Sequence, residues 1–588
     1  MTNTNNSPNL DSRIDGLSDK RKRLLAQLIG NSDEGSRAYE APQNETEGKL
    51  ANIWQKAFNR PSIGRHENYF ALGGDSLSSI KITAQASLLG LGIKMQDLIK
   101  HPTIAQLAVF LSESGADTQT TIPSTRKEQP RAYIFSEKEQ ASYPLTPMQF
   151  GMLYHCKMEP NKPLYISQLQ CEFDGEFNAE RFHSALLYII QRYPGLRAGF
   201  PSELIAERSY SVSHFDALPQ EVFEVDNKEH SRADVMERAK FERLKGIDVE
   251  KPPLMRFKIL NIGSSQFACI WTLHHLILDG WSQEIVLEAL FEAYARLSQG
   301  QALSAQVVSY PQWNPSFHRA QTHKAETFWK TLLAGYRPLS GAGKDNALLL
   351  SQQSFQSAFS IDEPAGQNHD FNLELNYKEF PILAFSEQQG ITPCAVMLSA
   401  FSLALFKTEG RMDSLMGTIL SGRSGMLGEE VNSAVGNFIN CLPIRCKAED
   451  TTSLLELYAS CKDHYLNLVE FEASPINQIQ EWLGMPNLSK SLNTLFVFEN
   501  FKGAHEFNQA GLPFSIENVR FNIMEHYPLV MTVIQAAASI RVVMRVRSTL
   551  VQEAKVQQLW SHFCRVFEAE LWLKQDQSVG AVLLTLGE

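Results

Sequence analysis

None of the eight cysteines stands in a Cys-x-x-Cys pair. Their scatter (156, 171, 269, 394, 441, 446, 461, 564) indicates neither a zinc cluster nor a disulfide framework, and a reducing cytoplasm is the expected compartment. No apolar run reaches membrane-spanning length, so no membrane partner is expected. The polar stretch Met1–Leu10 lacks the apolar centre of a signal peptide. Basic residues do not dominate: 54 Lys and Arg against 65 Asp and Glu leave a net charge of −11. That balance argues against a nucleic-acid partner, which needs a basic face. There is no Gly-x-Ser-x-Gly elbow, so a fused thioesterase is not supported. Ser340-Gly341-Ala342-Gly343-Lys344-Asp345 imitates a phosphate loop, but Pro338 replaces the first glycine and Asp345 the Ser/Thr. It reads as a surface loop.

What is present is ordinary globular composition, 43% apolar and 20% charged, over 588 residues, too many for one core. Residues 1–40 are polar, with a short basic amphipathic helix over Leu17–Ile29 that Ser18 can cap. Residues 113–142 are rich in Ser, Thr, Glu, Gln and Pro and have almost no apolar periodicity, which predicts a flexible tether. From Tyr143 to the end, strand-like runs such as Phe267–Leu273 alternate with helix-like runs such as Trp281–Leu297, which indicates a mixed α/β region.

Two segments carry chemistry. The first is Leu72-Gly73-Gly74-Asp75-Ser76-Leu77. Leu77, Ile80 and Ala84 recur at helical spacing, so Ser76 falls in a first helical turn. The glycine pair lets the backbone turn and leaves the hydroxyl uncovered. A helix start favours a phosphate, yet a serine there also serves as a plain cap; spacing alone leaves both open. The second is Trp271-Thr272-Leu273-His274-His275-Leu276-Ile277-Leu278-Asp279-Gly280-Trp281-Ser282. Adjacent histidines on a strand point to opposite faces, so one can meet a cavity while the other packs. A neutral imidazole is a natural base for an amine near neutral pH. Asp279, past a turn, can fix the local geometry by a salt bridge. The spacing is neither His-x-x-x-His nor His-Glu-x-x-His, so a metal site is not expected.

Asn68 to Leu77 resembles the core motif of the peptidyl carrier domains of nonribosomal peptide synthetases, and His101 to Ala108 resembles their last helix. Leu50, Ile53, Trp54 and Phe58 give the first helix its apolar face. The resemblance covers residues 41–112. It implies a small all-α four-helix bundle whose Ser76 receives 4′-phosphopantetheine from a phosphopantetheinyl transferase. Asp75 stands where many such carriers have histidine; the aspartate form is often met beside epimerization domains.

His-His-x-x-x-Asp-Gly is similar to the signature of condensation domains and their relatives of chloramphenicol acetyltransferase fold. Tyr143 to Leu153, Arg192 to Arg197, Val435 to Arg445 and Leu495 to Phe501 match other family motifs in the right order. The resemblance covers 143–588 and implies a two-lobed α/β domain, with lobes at about 143–315 and 316–588 and a tunnel between them. By that resemblance His275 is the catalytic histidine that orients or deprotonates an acceptor amine, and His274 is the structural one. Asp279 pairs with an arginine, with Arg423 as the expected partner, and Gly280 leaves room for the carrier arm. The sixth motif departs, reading Glu472-Ala473-Ser474-Pro475 where a histidine usually precedes the proline, and the fourth is only partial at Tyr310-Pro311-Gln312-Trp313.

The expected function is amide formation between a donor on Ser76 and an amine that is carrier-bound or free. No adenylation motif is found, so either an adenylation domain or upstream module loads the carrier in trans or the chain is an excised piece of a longer synthetase; a downstream carrier or free amine is the acceptor. Two other readings stand beside it. A carrier–epimerization didomain would carry a Glu-Gly-His-Gly-Arg-like segment, which Gly422-Arg423-Ser424-Gly425 does not supply. A non-enzymatic scaffold is opposed by intact His275, Asp279 and Gly280.

Overall fold

The computed structural model describes residues 39–58, 60–70, 72, 78–79, 82–83, 85–86, 89–93, 95–113, 142–304, 307–308, 322–337, 348, 368–423, 433–486, 488, 492–499, 511–523, 527–536, 538–548 and 550–587. Several expectations lie outside them: the helix over Leu17–Ile29, most of the tether, the loop at 340–345, the partial fourth motif and Ser76 itself.

The carrier region is helical. Helices run over Glu45–Phe58, Met95–Lys100 and Ile104–Glu113, and the described residues between 78 and 86 are helical too. Leu50, Ile53 and Trp54, spaced i, i+3, i+4, turn one face inward. Trp54 is fully buried, with Tyr69 edge-on at 5.7 Å. The Tyr69 hydroxyl lies 2.9 Å from that of Ser78 and 2.5 Å from that of Ser79, so both serines are buried and engaged.

Beside a small sheet of Ser142–Pro144, Ser209–Val212 and Ala198–Gly199, the described residues of the larger region form two large sheets. The first orders its strands Phe514–Ile523, Ile166–Gly175, Gln266–His274, Met255–Gly263 and Phe223–Glu229, antiparallel except for the last pair. Alternate residues face opposite ways, as a strand requires. Leu169, Cys171 and Phe173 with Cys269, Trp271 and Leu273 pack under helices Ala179–Arg192 and Gly280–Ser298. Ala268 and Ile270 pack with Ala239 of helix Arg232–Leu244 on the other face.

The second sheet orders Asn440–Lys447, Asp413–Leu420, Thr494–Glu499, Leu529–Gln535, Ser539–Arg547 and Asn368–Asn376. Its core is built around helix Pro393–Glu409, which is apolar and buried nearly all round. Among the described residues no single helix is long and apolar enough to cross a membrane.

One strand crosses the lobe boundary expected from sequence. Phe514–Ile523 falls within 316–588 but pairs antiparallel with Ile166–Gly175 of the first lobe. Phe514 and Ile516 are buried in the first core, and the Phe514 ring stacks on Phe173 at 4.6 Å. Gly175 permits the approach: its φ is +134°, and a Cβ there would lie 2.7 Å from the Pro513 carbonyl oxygen.

Candidate active site

Strand Gln266–His274 ends at the first histidine. His275 therefore sits in the following turn rather than on the strand, so the opposite-faces argument does not apply to it. The chain then enters helix Gly280–Ser298, with Asp279 as its N-cap. Gly280 opens that helix and is only partly covered.

His274 is buried, and its Nδ1 accepts the Leu276 N–H at 3.2 Å. Its Nε2 lies 3.8 Å from the Cys156 thiol. His275 is only partly covered. Burial nevertheless pushes its pKa below the ordinary 6.5, opposed by hydrogen bonds to the His275 and Leu278 carbonyls and by the charge of Asp279. The ring is thus held neutral at pH 7.

Asp279 makes its salt bridge with Arg423, and both side chains are fully buried. Arg423 Nη2 donates to Oδ1 at 3.0 Å and to Oδ2 at 3.2 Å. Oδ1 also accepts the Ser282 N–H at 2.7 Å, and Oδ2 the Phe438 N–H at 3.0 Å. The guanidinium lies between two rings, 4.6 Å from Trp281 and 4.8 Å from Phe438, and Nη1 donates to the Ala434 carbonyl. Gly422 brings Arg423 there. Its φ is +68°, and a Cβ would lie 1.7 Å from the Phe438 carbonyl oxygen.

Several residues given no role in the sequence reading hold this segment. Gln149 closes a capping box with Thr146 and spends its other amide atom on the Leu276 carbonyl, at 3.0 Å. The Thr-Pro-Met-Gln spacing is a readable signal for the first bond and silent on the second. Ser282 Oγ donates to the Gly436 carbonyl at 2.8 Å and accepts its N–H at 3.0 Å. Asn437 Nδ2 donates to the His275 carbonyl at 2.6 Å. Glu472, in the segment that departs from the sixth motif, is buried and accepts the Gly422 N–H at 2.9 Å.

The His275 N–H donates to the carbonyl of Tyr165, at 2.8 Å. Tyr165 has φ +56°, a strained conformation for an aromatic residue. Its hydroxyl lies 2.5 Å from His155 Nδ1, and its ring stacks on that imidazole. Burial lowers the pKa of His155, which suits an accepting Nδ1. The site thus offers a neutral, half-open imidazole in a turn whose backbone is held from several sides.

Residues 139–581 match the family described as Condensation domain, and residues 48–111 match the one described as Phosphopantetheine attachment site. Tyrocidine synthase 3 of Brevibacillus parabrevis is 27% identical over 92% of this chain, and surfactin synthase subunit 1 of Bacillus subtilis (strain 168) is 26% identical over 94%. The chain spans only 8% and 14% of the length of those relatives. Among solved structures, the starter condensation domain of rhizomide synthetase superposes with a TM-score of 0.58 at 15% identity, over 75% of this chain and 97% of that one. The X-domain from teicoplanin biosynthesis, in complex with OxyB, gives 0.59 at 16%, over 76% and 97%. These likenesses show the two-lobed fold.

Proposed function

Since the chain belongs to the condensation-domain family and carries a phosphopantetheine attachment domain ahead of it, we propose that it forms amides in nonribosomal peptide synthesis, joining a donor on Ser76 to an amine. The reaction class is acyl transfer of the amide-forming type.

The observation that carries the proposal is His275, neutral, half-open and pinned through its own peptide. An amine attacking an acyl carbon must present its lone pair and shed a proton. For Nε2 to meet the amine as an acceptor, Nδ1 must carry the ring proton, which the neighbouring His275 and Leu278 carbonyls can take as a hydrogen bond. Nε2 then accepts an amine N–H, aims the lone pair and can hold the proton. Asp279 and Arg423 do not touch the amine in this scheme. They fix the turn and the helix start, so the imidazole meets the amine in one orientation.

The carrier residues fit the arm. Attachment needs a free hydroxyl, and Ser78 and Ser79 are buried against Tyr69. Ser76, behind the glycine pair, is the serine of the motif left for it. When bound, phosphopantetheine supplies the sulfur that carries the acyl group as a thioester and leaves as a thiol when the amide forms. A phosphopantetheinyl transferase, an adenylation domain or upstream module, and a downstream carrier or free amine complete the scheme.

The test is to load the chain with an aminoacyl arm, offer an amine and analyse the product. Amide supports the proposal. An inverted α-carbon would assign epimerization instead, and no change in the acyl group would leave a scaffold.

A further inference from the structure

We propose that Asn437 is a positioning residue for His275, holding the imidazole in its working orientation by a contact made from the second lobe. This rests on the role given to His275 above. Asn437 lies just before strand Asn440–Lys447 and is 1% exposed. Its Nδ2 donates to the His275 carbonyl oxygen at 2.6 Å and lies 3.8 Å from Met152 Sδ, with the edge of the His275 ring 3.4 Å away at Nδ1. The bond to the carbonyl fixes the amide's sense. Turned over, it would set its oxygen against the His275 carbonyl oxygen.

The other end of the amide makes the point stronger. Asn437 Oδ1 is buried and has no hydrogen-bond partner among the described residues. An unmatched buried oxygen works against stability, and an apolar side chain of similar shape would avoid it. A residue chosen for packing alone would not be an asparagine. The nitrogen's hold on His275 is what the amide contributes.

Geometry on both sides makes the hold firm. Gly436 bonds to Asp279 N–H and to Ser282, and Phe438 N–H bonds to Asp279, so the backbone carrying Asn437 cannot drift. Across the site the Tyr165 carbonyl takes the His275 N–H. The His275 residue is thereby gripped at its amide by one lobe and at its carbonyl by the other. Releasing the second grip frees the peptide to turn, and the ring turns with it.

The experiment uses the full chain with ¹³C-labelled histidine and reads the Cε1–H signal of His275, assigned by its loss in His275→Ala. Asn437→Leu removes the donor while keeping the branching of the side chain; Asn437→Ala removes it without crowding. In both the His275 signal should shift or double. In Asn437→Leu the melting temperature should hold or rise. The kcat for amide formation should fall about 10- to 100-fold, the scale of a displaced reacting group, with KM for a soluble amine within about twofold. An unmoved signal in both variants would overturn the proposal. So would a loss of kcat that came only with a matching loss of melting temperature. If the parent chain made no amide at all, the function proposed above would fail, while the histidine signal would still decide whether Asn437 sets the ring.

Discussion

Asp279→Asn should be far more damaging than its shape suggests. The variant keeps the size of the side chain and a residue that caps helices as well as aspartate does. It removes one charge. Arg423 then stays fully buried between the rings of Trp281 and Phe438, its guanidinium without a counter-charge. Breaking a buried pair from one side costs about 3–5 kcal/mol. An unfolding entropy of about 2.1 cal/mol/K per residue over the matched residues 139–581 comes to roughly 0.9 kcal/mol/K. The melting temperature should therefore fall by about 3–5 °C. The companion variant reverses the logic. Adding Arg423→Met puts an apolar chain between the same two rings and removes the orphaned charge. The double variant should recover most of the loss, because replacing a whole buried pair is often close to neutral. Calorimetry on parent, single and double variants closes the cycle. An Asp279→Asn chain melting within 1 °C of the parent, or a double variant no more stable than the single, would refute the reasoning.

The remaining expectations concern the turn and the carrier. His275→Ala should slow amide formation by about 10²–10⁴ while leaving carrier loading intact, as measured by product formation and by intact mass. Burial depresses the His275 pKa, so the acid limb of the rate should be centred below the ordinary 6.5. An acid limb centred above pH 7 would contradict that sign. The same group contributes stability in full above 6.5 and loses it as pH drops through the depressed value, because the unfolded chain takes up the proton first. Incubation with a phosphopantetheinyl transferase and coenzyme A should add one arm to the parent and to Ser78→Ala but none to Ser76→Ala. Gly422→Ala should lower both the melting temperature and the activity, since its new methyl must push away the Phe438 carbonyl that lies beside Arg423.

Local features of the fold were legible and distant ones were not. The apolar spacing of Leu50, Ile53 and Trp54 announces a helix because partners three and four residues apart share a face. The strand into His274 and the helix after Asp279 could be read the same way. Only the family resemblance points from Asp279 to Arg423, which lie 144 positions apart; nothing in the residues between them does. Gln149 to Leu276 and Asn437 to His275 span 127 and 162 positions, and no periodicity encodes such pairs. Tyr165 was missed because backbone strain leaves no mark in a sequence when the residue carrying it is not glycine. Glu472 looked like a departure from a motif, yet it accepts the N–H of the residue before Arg423.

The strand Phe514–Ile523 has a consequence for how the molecule is made. On the ribosome, strand Ile166–Gly175 emerges more than 300 residues before the partner that will cover its outer edge. At about 5–20 residues per second, that edge waits on the order of 15–70 s with unpaired backbone groups, long enough to recruit another nascent chain. Recombination meets the same constraint. A first lobe transplanted between relatives without its own residues 514–523 would arrive with a borrowed edge strand, against which Phe173 must stack and Gly175 must fit. The exchangeable unit is therefore discontinuous in the gene, although each lobe looks like one uninterrupted stretch.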